Sequence, residues 1–208
     1  MSKLSIDSLH FSYQLDPVLT GACISCNTGE RIALSGENGS GKSTLFKIIA
    51  GQLNPPSAPL KIDDIYIPPS DRFKYLAWLP QDSFLPKGLR VKQAISLFST
   101  KNQKQELFSD SRIQELLDRK IRNLSGGEKR YIETSMILSL NRNFYILDEP
   151  FTEVEPLYQK TLFDKISTVS LTAGFILIDH NSSAMAKIAT SQLLLIHGQV
   201  YPIKERLE

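Results

Sequence analysis

The chain has 208 residues, a formal net charge of +2 and 41% hydrophobic residues, which suits one α/β domain with a full buried core. The near-neutral charge indicates neither a nucleic-acid-binding surface nor an acidic tail, and no apolar stretch approaches the roughly 20 residues of a membrane helix. Residues 1–7 lack the apolar centre of a signal peptide, so we expect a cytosolic protein that reaches a membrane only through a partner.

The N-terminal part, residues 1–30, predicts two strands of an antiparallel β subdomain. Apolar positions continue to Tyr13, a turn follows at Asp16-Pro17, and the chain returns. The returning strand carries both cysteines, Cys23 and Cys26, as a C-x-x-C pair that could serve redox chemistry or half a zinc site. No second cysteine pair exists and no histidine has metal-ligand spacing to this one. We therefore predict strand packing with reduced thiols.

Residues 36–44 read Gly-Glu-Asn-Gly-Ser-Gly-Lys-Ser-Thr and match G-x-x-x-x-G-K-[ST] at every fixed position. An apolar strand candidate at 31–34 precedes them and a helical apolar pattern at 45–50 follows. This order directs backbone N–H groups and the positive end of a helix dipole at one anion. Lys42 can reach the outer phosphates of a nucleotide, and the Ser43 hydroxyl is placed to ligate Mg²⁺. The residues expected to bind the nucleotide are Gly36, Asn38, Gly39, Ser40, Gly41, Lys42, Ser43 and Thr44.

The middle of the chain continues the β pattern before it becomes helical. Prolines make residues 54–59 a rigid connector, a hairpin or edge strand is predicted over 60–67, and a buried strand over 75–79. The hairpin lacks the usual Asp-Gly turn. The buried strand ends at Pro80-Gln81.

Residues 91–117 have helical apolar spacing, interrupted by a polar run at 99–105 that we expect to separate two helices. A further helix opens after Ser125 and is expected to end at Asn143. We therefore predict a small helical subdomain, about residues 88–140, inserted in the α/β core.

The last part alternates strands and helices. Residues 144–147 form a wholly apolar strand of the buried parallel kind, and helices are predicted at 157–169 and 182–189 around a second buried strand at 174–178. A closing hairpin is expected over 193–203, with no regulatory domain after it. The predicted fold is α/β, a P-loop NTPase with a mostly parallel core sheet, an N-terminal antiparallel β subdomain and a small helical subdomain, in a single domain over residues 1–208.

Two carboxylates, Asp148 and Glu149, end the apolar strand at 144–147. Side chains at the carboxyl end of such a strand lie at the crevice where α/β sheets bind ligands. Asp148 can hold the Mg²⁺ shell, and Glu149 can orient or deprotonate an attacking water. Asp-Glu-Pro alone is a common exit from a strand, but beside a phosphate-binding loop we interpret it as functional.

The helix after Leu124 opens with Ser125-Gly126-Gly127-Glu128, which fits a capping box. An ordinary helix start would explain Ser125 and Glu128. Two glycines in a first turn are costly unless something must approach the backbone closely. We therefore predict a second anion site here.

These motifs together resemble the nucleotide-binding domain of ATP-binding cassette (ABC) proteins over nearly the whole chain. Residues 36–44 match the Walker A motif, residues 124–128 the LSGGE signature and residues 144–149 Walker B. The resemblance implies Mg²⁺-dependent ATP hydrolysis. It implies catalytic roles for Glu149, His180, Lys42 and Gln81, metal ligation by Ser43, Gln81 and Asp148, and ATP contacts from Ser125, Gly126, Gly127 and Glu128.

Three further assignments depend on the resemblance. Gln81 is similar to the Q-loop glutamine, which senses γ-phosphate and Mg²⁺ and couples to a membrane partner. His180 is similar to the switch histidine. Tyr13 takes the position of the aromatic that stacks on adenine, with Phe11 as a rival. One departure is Glu155, which stands where the family's D-loop has Asp and is one methylene longer, and this puts the coupling of two sites in question.

The resemblance also implies a head-to-tail homodimer, or a pair of ATPase subunits, with two ATP molecules at the interface. Each ATP is held by Walker A of one chain and the signature of the other. Within the family the motifs look most like the group of lipopolysaccharide-transport and branched-chain amino-acid importer ATPases. The expected function is the ATPase subunit of an ABC transporter, bound to transmembrane permease subunits at the inner face of the cell membrane and with no nucleic-acid partner.

The alternative function is a soluble ABC ATPase that drives assembly or remodelling of a protein complex, such as Fe–S cluster assembly. Translation-factor-like ABC proteins are disfavoured because they carry two cassettes in one chain. DNA-repair ABC ATPases are disfavoured because no long coiled-coil insertion is present.

Overall fold

The computed structural model describes residues 1–55 and 59–203, and these residues form ten strands and seven α-helices. The strands are β1 Lys3–Tyr13, β2 Asp16–Asn27, β3 Arg31–Ser35, β4 Leu60–Ile62, β5 Ile65–Tyr66, β6 Leu76–Leu79, β7 Phe144–Asp148, β8 Gly174–Ile178, β9 Ser191–Ile196 and β10 Gln199–Pro202. The helices are α1 Lys42–Ile49, α2 Val91–Phe98, α3 Lys101–Ser109, α4 Ser111–Leu116, α5 Gly126–Leu138, α6 Pro156–Val169 and α7 Ser182–Ile188.

The N-terminal strands form a four-stranded antiparallel sheet in the order β2-β1-β4-β5. The β4–β5 turn has positive φ at both Asp63 and Asp64, the backbone that hairpins usually assign to Asn-Gly or Asp-Gly. Asp63 accepts hydrogen bonds from Lys3 N at 2.7 Å and Ser2 Oγ at 2.8 Å. These bonds hold the turn against the start of β1 and stabilise a backbone conformation that glycine would adopt more easily. Both cysteines lie in β2, as predicted, and both are free. Cys26 is buried, whereas Cys23 is exposed.

The central sheet has the order β10-β9-β3-β8-β7-β6, in which β10 alone runs antiparallel to its neighbour among the described strands. Every residue of β7 and β8 is buried, as expected when helices or sheets cover both faces. Alternate side chains of β7 enter two separate cores. Phe144 and Ile146 pack with α1 and the antiparallel sheet, and Tyr145 and Leu147 pack with α5 and α6. The predicted fold class is confirmed.

Helices α2 to α5 all lie between β6 and β7 in the chain. Two expectations for this segment were wrong. The polar run at 99–105 mostly belongs to α3, which buries Leu107 and ties to α5 through a bond from Gln103 Nε2 to Ser139 O, 3.0 Å long. Helix α5 ends at Leu138 instead of Asn143, because the chain must turn to enter β7.

The middle of the predicted connector at 54–59 lies outside the described residues, as do residues 204–208. Among the helices of the described ranges, none is long and apolar enough to cross a membrane.

Candidate active site

The phosphate-binding loop joins β3 to α1 and is shaped by a left-handed glycine. Gly41 is the N-cap of α1 with φ 104°, a conformation that residues with a side chain rarely adopt. A Cβ at this position would lie 2.8 Å from Val18 Cγ1 of β2. Only glycine therefore lets the antiparallel sheet pack against the start of α1.

Lys42 follows at the first position of α1, and its ammonium is bound by the loop itself. Nζ donates to the carbonyl oxygens of Gly36 at 2.7 Å and Glu37 at 2.8 Å. Burial lowers the pKa of Lys42, and the nearby carboxylates of Asp148 and Glu149 act in the opposite direction. The loop thus holds the ammonium group of Lys42 where the outer phosphates of a nucleotide are predicted to bind.

Asp148 is the last residue of β7 and is buried. Burial and then the charge of Glu149 raise its pKa from 3.8 to about 6, although Arg130, a hydrogen bond from Ser43 and Lys42 act in the opposite direction. Ser43 and Asp148 line the same cavity, where a hydroxyl and a carboxylate oxygen are available to one cation.

Glu149 follows directly and has φ 55°, an uncommon backbone that recurs at functional sites. Its N–H donates to Ile178 O of β8 at 2.6 Å. Its carboxylate accepts hydrogen bonds from Gln81 Nε2 and Thr152 Oγ1, both at 3.1 Å, and His180 Nε2 lies 3.3 Å from Oε1. Gln81 and His180, which were predicted from separate parts of the chain, thus meet at the carboxylate of Glu149.

These side chains line a single cavity of about 450 Å³, bordered by Tyr13, Val18, Asn38, Gly39, Gly41, Lys42, Ser43, Thr44, Gln81, Asp148, Glu149, Ile178 and His180. Gly36 and Ser40 belong to the loop but are absent from this lining. Tyr13 is half exposed at the cavity, and Phe11 lies edge-on behind it with ring centroids 4.9 Å apart. The geometry favours Tyr13 over Phe11 as the aromatic that meets the base.

The predicted metal ligands fit Mg²⁺ in type. Ser43, Gln81 and Asp148 offer hydroxyl, amide and carboxylate oxygens at the same cavity, and Mg²⁺ is usually bound by one or two carboxylates together with substrate phosphates. Over residues 1–55 and 59–203 no group of three or more His, Cys, Asp and Glu side chains could hold a metal ion. The hydroxyl, amide and carboxylate oxygens of this cavity suit a cation that arrives with a phosphate ligand.

The signature residues start α5 with the predicted capping box. Glu128 N donates to Ser125 Oγ at 3.1 Å, and Ser125 N donates to Glu128 Oε2 at 2.8 Å. Glu128 Oε1 also accepts from Arg119 NH1 at 2.8 Å. None of residues 125–128 lines the cavity that contains Lys42. Gly126 instead lines a neighbouring cavity with Gln81 and Glu149. Within one chain the start of α5 therefore borders Glu149 but does not line the cavity of Lys42.

Glu153 makes the close approach that the two glycines predicted. A Cβ on Gly126 would collide with the Glu153 carboxylate, and a Cβ on Gly127 would collide with the Glu153 carbonyl oxygen. Glu153 itself has φ 58°. Packing within one chain is therefore enough to require glycine at position 127, where the obstacle is backbone, whereas at position 126 the flexible Glu153 side chain could move aside. The second anion site stays a prediction.

Glu155, the departure noted in the D-loop, lies near Arg112. Arg112 NH2 is 3.7 Å from Glu155 Oε1 and 3.4 Å from Glu128 Oε1, and the guanidinium lies over the Tyr158 ring at 4.4 Å. The longer side chain at position 155 thus reaches a cation that also contacts the signature helix.

Sequence reasoning missed Thr152, Arg130 and Glu133. Thr152 carries a hydroxyl three residues after Glu149, the predicted catalytic carboxylate, and no sequence pattern marks it. Arg130 and Glu133 are almost fully buried in α5. Arg130 and Glu133 stand on either side of the apolar residues Tyr131 and Ile132 in α5. A charged pair in that position is a signal that could have found them.

The family model described as ABC transporter matches residues 19–152. The lipopolysaccharide export system ATP-binding protein LptB of Acidithiobacillus ferridurans is 28% identical, over 95% of this chain and 88% of its own. LptB of Escherichia coli K12 is also 28% identical, over 96% and 89%.

Among solved structures, an ATP-binding subunit of an ABC transporter matches with TM-score 0.84 and 25% identity, over 95% of this chain and 87% of its own. A bacterial Atm1-family ABC exporter with ATP bound matches with TM-score 0.83 and 21% identity, over 96% and 38%, and at that identity it supports the fold alone. The chain therefore belongs to the ABC transporter family, as an ATP-binding ATPase subunit.

Proposed function

We propose that this subunit hydrolyses ATP with Mg²⁺ at two composite sites in a head-to-tail dimer and thereby drives transmembrane permease subunits. The observation that carries the proposal is the set of contacts around Glu149, where Gln81, His180 and Thr152 converge on one carboxylate beside Lys42. A carboxylate held this way can accept the proton of an attacking water.

Each residue of the nucleotide cavity has a separate role in this proposal. Tyr13 stacks on the base and the loop N–H groups bind the phosphates. Lys42 exchanges the carbonyls of Gly36 and Glu37 for phosphate oxygens. Ser43 and Asp148, with Gln81, would hold Mg²⁺, which supplies charge neutralisation at the phosphates. Glu149 takes the proton of the water, and Gln81 and His180 orient it.

The dimer supplies the signature to the site. Residues 125–128 lie outside the cavity of their own chain, while the N-terminus of α5 retains the geometry that binds anions. A second copy placed head-to-tail would bring that helix end to the γ-phosphate. Sequence similarity to LptB supports a location in the cytoplasm at the inner face of the membrane, through permease subunits, and makes lipid-linked cargo the first class to test.

Glu149→Gln is the variant that tests this proposal. The amide cannot accept the proton, so turnover should fall by about 10²- to 10⁴-fold while ATP binding persists. The variant should therefore accumulate as an ATP-bound dimer in size-exclusion chromatography with light scattering.

The control for this experiment is Lys42→Ala, which should neither bind ATP tightly nor dimerise. If Glu149→Gln stays monomeric at saturating ATP, the dimer or the role of Glu149 is wrong. Co-purification of the trapped dimer with multi-span membrane proteins, identified by mass spectrometry, would test the permease partner.

A further inference from the structure

Helix α5 carries two charged side chains that the proposed mechanism does not use. Arg130 is 6% exposed and Glu133 is 1% exposed, and Arg130 NH1 lies 3.6 Å from Glu133 Oε2. A buried ion pair is weak evidence for stability, because desolvation of both charges offsets their attraction. The role of the pair is therefore better inferred from its hydrogen bonds to other parts of the chain than from its own attraction.

Glu133 binds the segment that follows Gln81. Its Oε1 accepts a hydrogen bond from Ser83 Oγ at 2.5 Å and another from Phe84 N at 3.0 Å. These bonds fix both the side chain and the backbone of the chain two and three residues beyond Gln81.

Arg130 binds the other side of Gln81 and the end of β7. NH1 donates to Pro80 O at 2.7 Å, Nε donates to Glu149 O at 2.9 Å, and NH2 donates to Asp148 O. One planar guanidinium thus sets the residue before Gln81 at a fixed position relative to both carboxylates of the active site.

Gln81 itself is exposed, and its side chain bonds to Glu149 at 3.1 Å. We propose that Arg130 and Glu133 are positioning residues for hydrolysis, which hold the segment 80–84 on both sides of Gln81 and so align its amide with Glu149. This inference rests on the proposed function, in which Gln81 and Glu149 act on the attacking water.

Glu133→Gln tests the inference with little change in shape. The variant keeps an acceptor oxygen but turns an NH2 group toward Arg130 NH1, so two donors oppose each other. We expect kcat for ATP to fall by about 10- to 100-fold, the effect of a small misplacement near the chemistry. The KM for ATP should be unchanged, because neither residue lines the nucleotide cavity.

Tyr131→Phe is the matched control on the same helix. It removes a partly buried hydrogen bond, from Tyr131 Oη to Asp110 Oδ2 at 2.7 Å, whose acceptor is the N-cap residue of α4 and not part of segment 80–84. Its kcat should equal that of the wild type. Ser83→Ala changes an exposed residue and removes one hydrogen-bond donor to Glu133. It should also lower kcat, and it provides a second test if Glu133→Gln does not fold.

A double-variant cycle separates positioning from general stability. If Glu133 acts through Gln81, Glu133→Gln combined with Gln81→Ala should have the kcat of Gln81→Ala alone. Trp78, the one tryptophan of the chain, lies three residues before Gln81 and should report altered ATP-dependent fluorescence in Glu133→Gln.

Multiplicative losses in the double variant, or wild-type kcat in Glu133→Gln and Ser83→Ala, would overturn the inference and leave the proposed function intact. An inactive wild type, or one whose turnover survives Glu149→Gln, would instead contradict the proposed function.

Discussion

At the scale of a single residue, the buried position of Asp148 lowers the stability of the folded chain whenever the carboxylate is ionised. It ends a strand buried on both faces, and its carboxylate lies next to the charge of Glu149. Its pKa is raised from 3.8 to about 6, chiefly by burial. Ionised Asp148 is therefore less favourable in the folded chain than in the unfolded chain, where its pKa is ordinary.

Asp148→Asn should stabilise the metal-free protein at high pH. The cost of ionising Asp148 is fully present above a pH of about 6 and is relieved as the pH falls toward 3.8. Urea unfolding in EDTA should show the variant more stable at pH 8 by at most ~3 kcal/mol, since one pKa unit corresponds to ~1.4 kcal/mol.

This advantage of Asp148→Asn should shrink when the same titration is run at pH 5. A variant that is less stable than the wild type at pH 8 would show that the carboxylate is favourably placed without a cation.

At the scale of elements, the sequence predicted the helices, strands and loops that carry a fixed motif or a regular apolar spacing. The phosphate loop, the capping box and the buried strands followed from fixed motifs and from apolar periodicity. Helix α3 did not, because most of its residues are polar and exposed. Thr100 and Gln103 were its signal, a polar pair at capping-box spacing in which Thr100 N donates to Gln103 Oε1 at 2.7 Å.

The buried charges were also outside the reach of pattern reasoning. Arg72 is 1% exposed and donates to the carbonyl oxygens of Ile48, in the last turn of α1, and of Ile67 at 3.4 Å. A cation at the C-terminus of a helix satisfies carbonyls that lack intrahelical partners. Nothing local in the sequence shows that this arginine meets a helix 24 residues earlier.

Arg72→Ala should destabilise the protein by ~3 kcal/mol, because it leaves buried carbonyl oxygens without donors and creates a cavity. Chemical denaturation followed by circular dichroism measures the loss.

Arg142→Ala is the matched control for Arg72. This arginine also donates only to carbonyl oxygens, those of Phe73, Leu140 and Asn141, but it is half-buried, and its loss should cost under ~1 kcal/mol. Equal effects of the two substitutions would show that burial of Arg72 is not what makes it important.

At the scale of the whole molecule, the separation of the cavity from residues 125–128 predicts that activity needs two chains. Lys42→Ala and Ser125→Arg should each be inactive as homodimers. Mixing them should restore activity, because one site of each heterodimer combines an intact Lys42 with an intact Ser125. Random exchange at equal amounts leaves roughly a quarter of all sites intact, and steady-state ATPase assays across mixing ratios measure the recovery.

The control mixture combines Lys42→Ala with Glu149→Gln. Both defects belong to the same half of the site, so every heterodimer site is defective and no activity should return. Recovery in both mixtures, or in neither while heterodimers form with ATP, would contradict a site shared between Walker A of one chain and the signature of the other.

The contact of Glu153 with the start of α5 has an evolutionary consequence. Gly126 faces the side chain of Glu153, whereas Gly127 faces its main-chain carbonyl. A smaller residue at position 153 would make room for a side chain at 126, but no residue at 153 would make room at 127. Among relatives that lose pairing with a second copy, positions 126 and 153 should therefore drift together, while Gly127 is retained for as long as the chain folds this way.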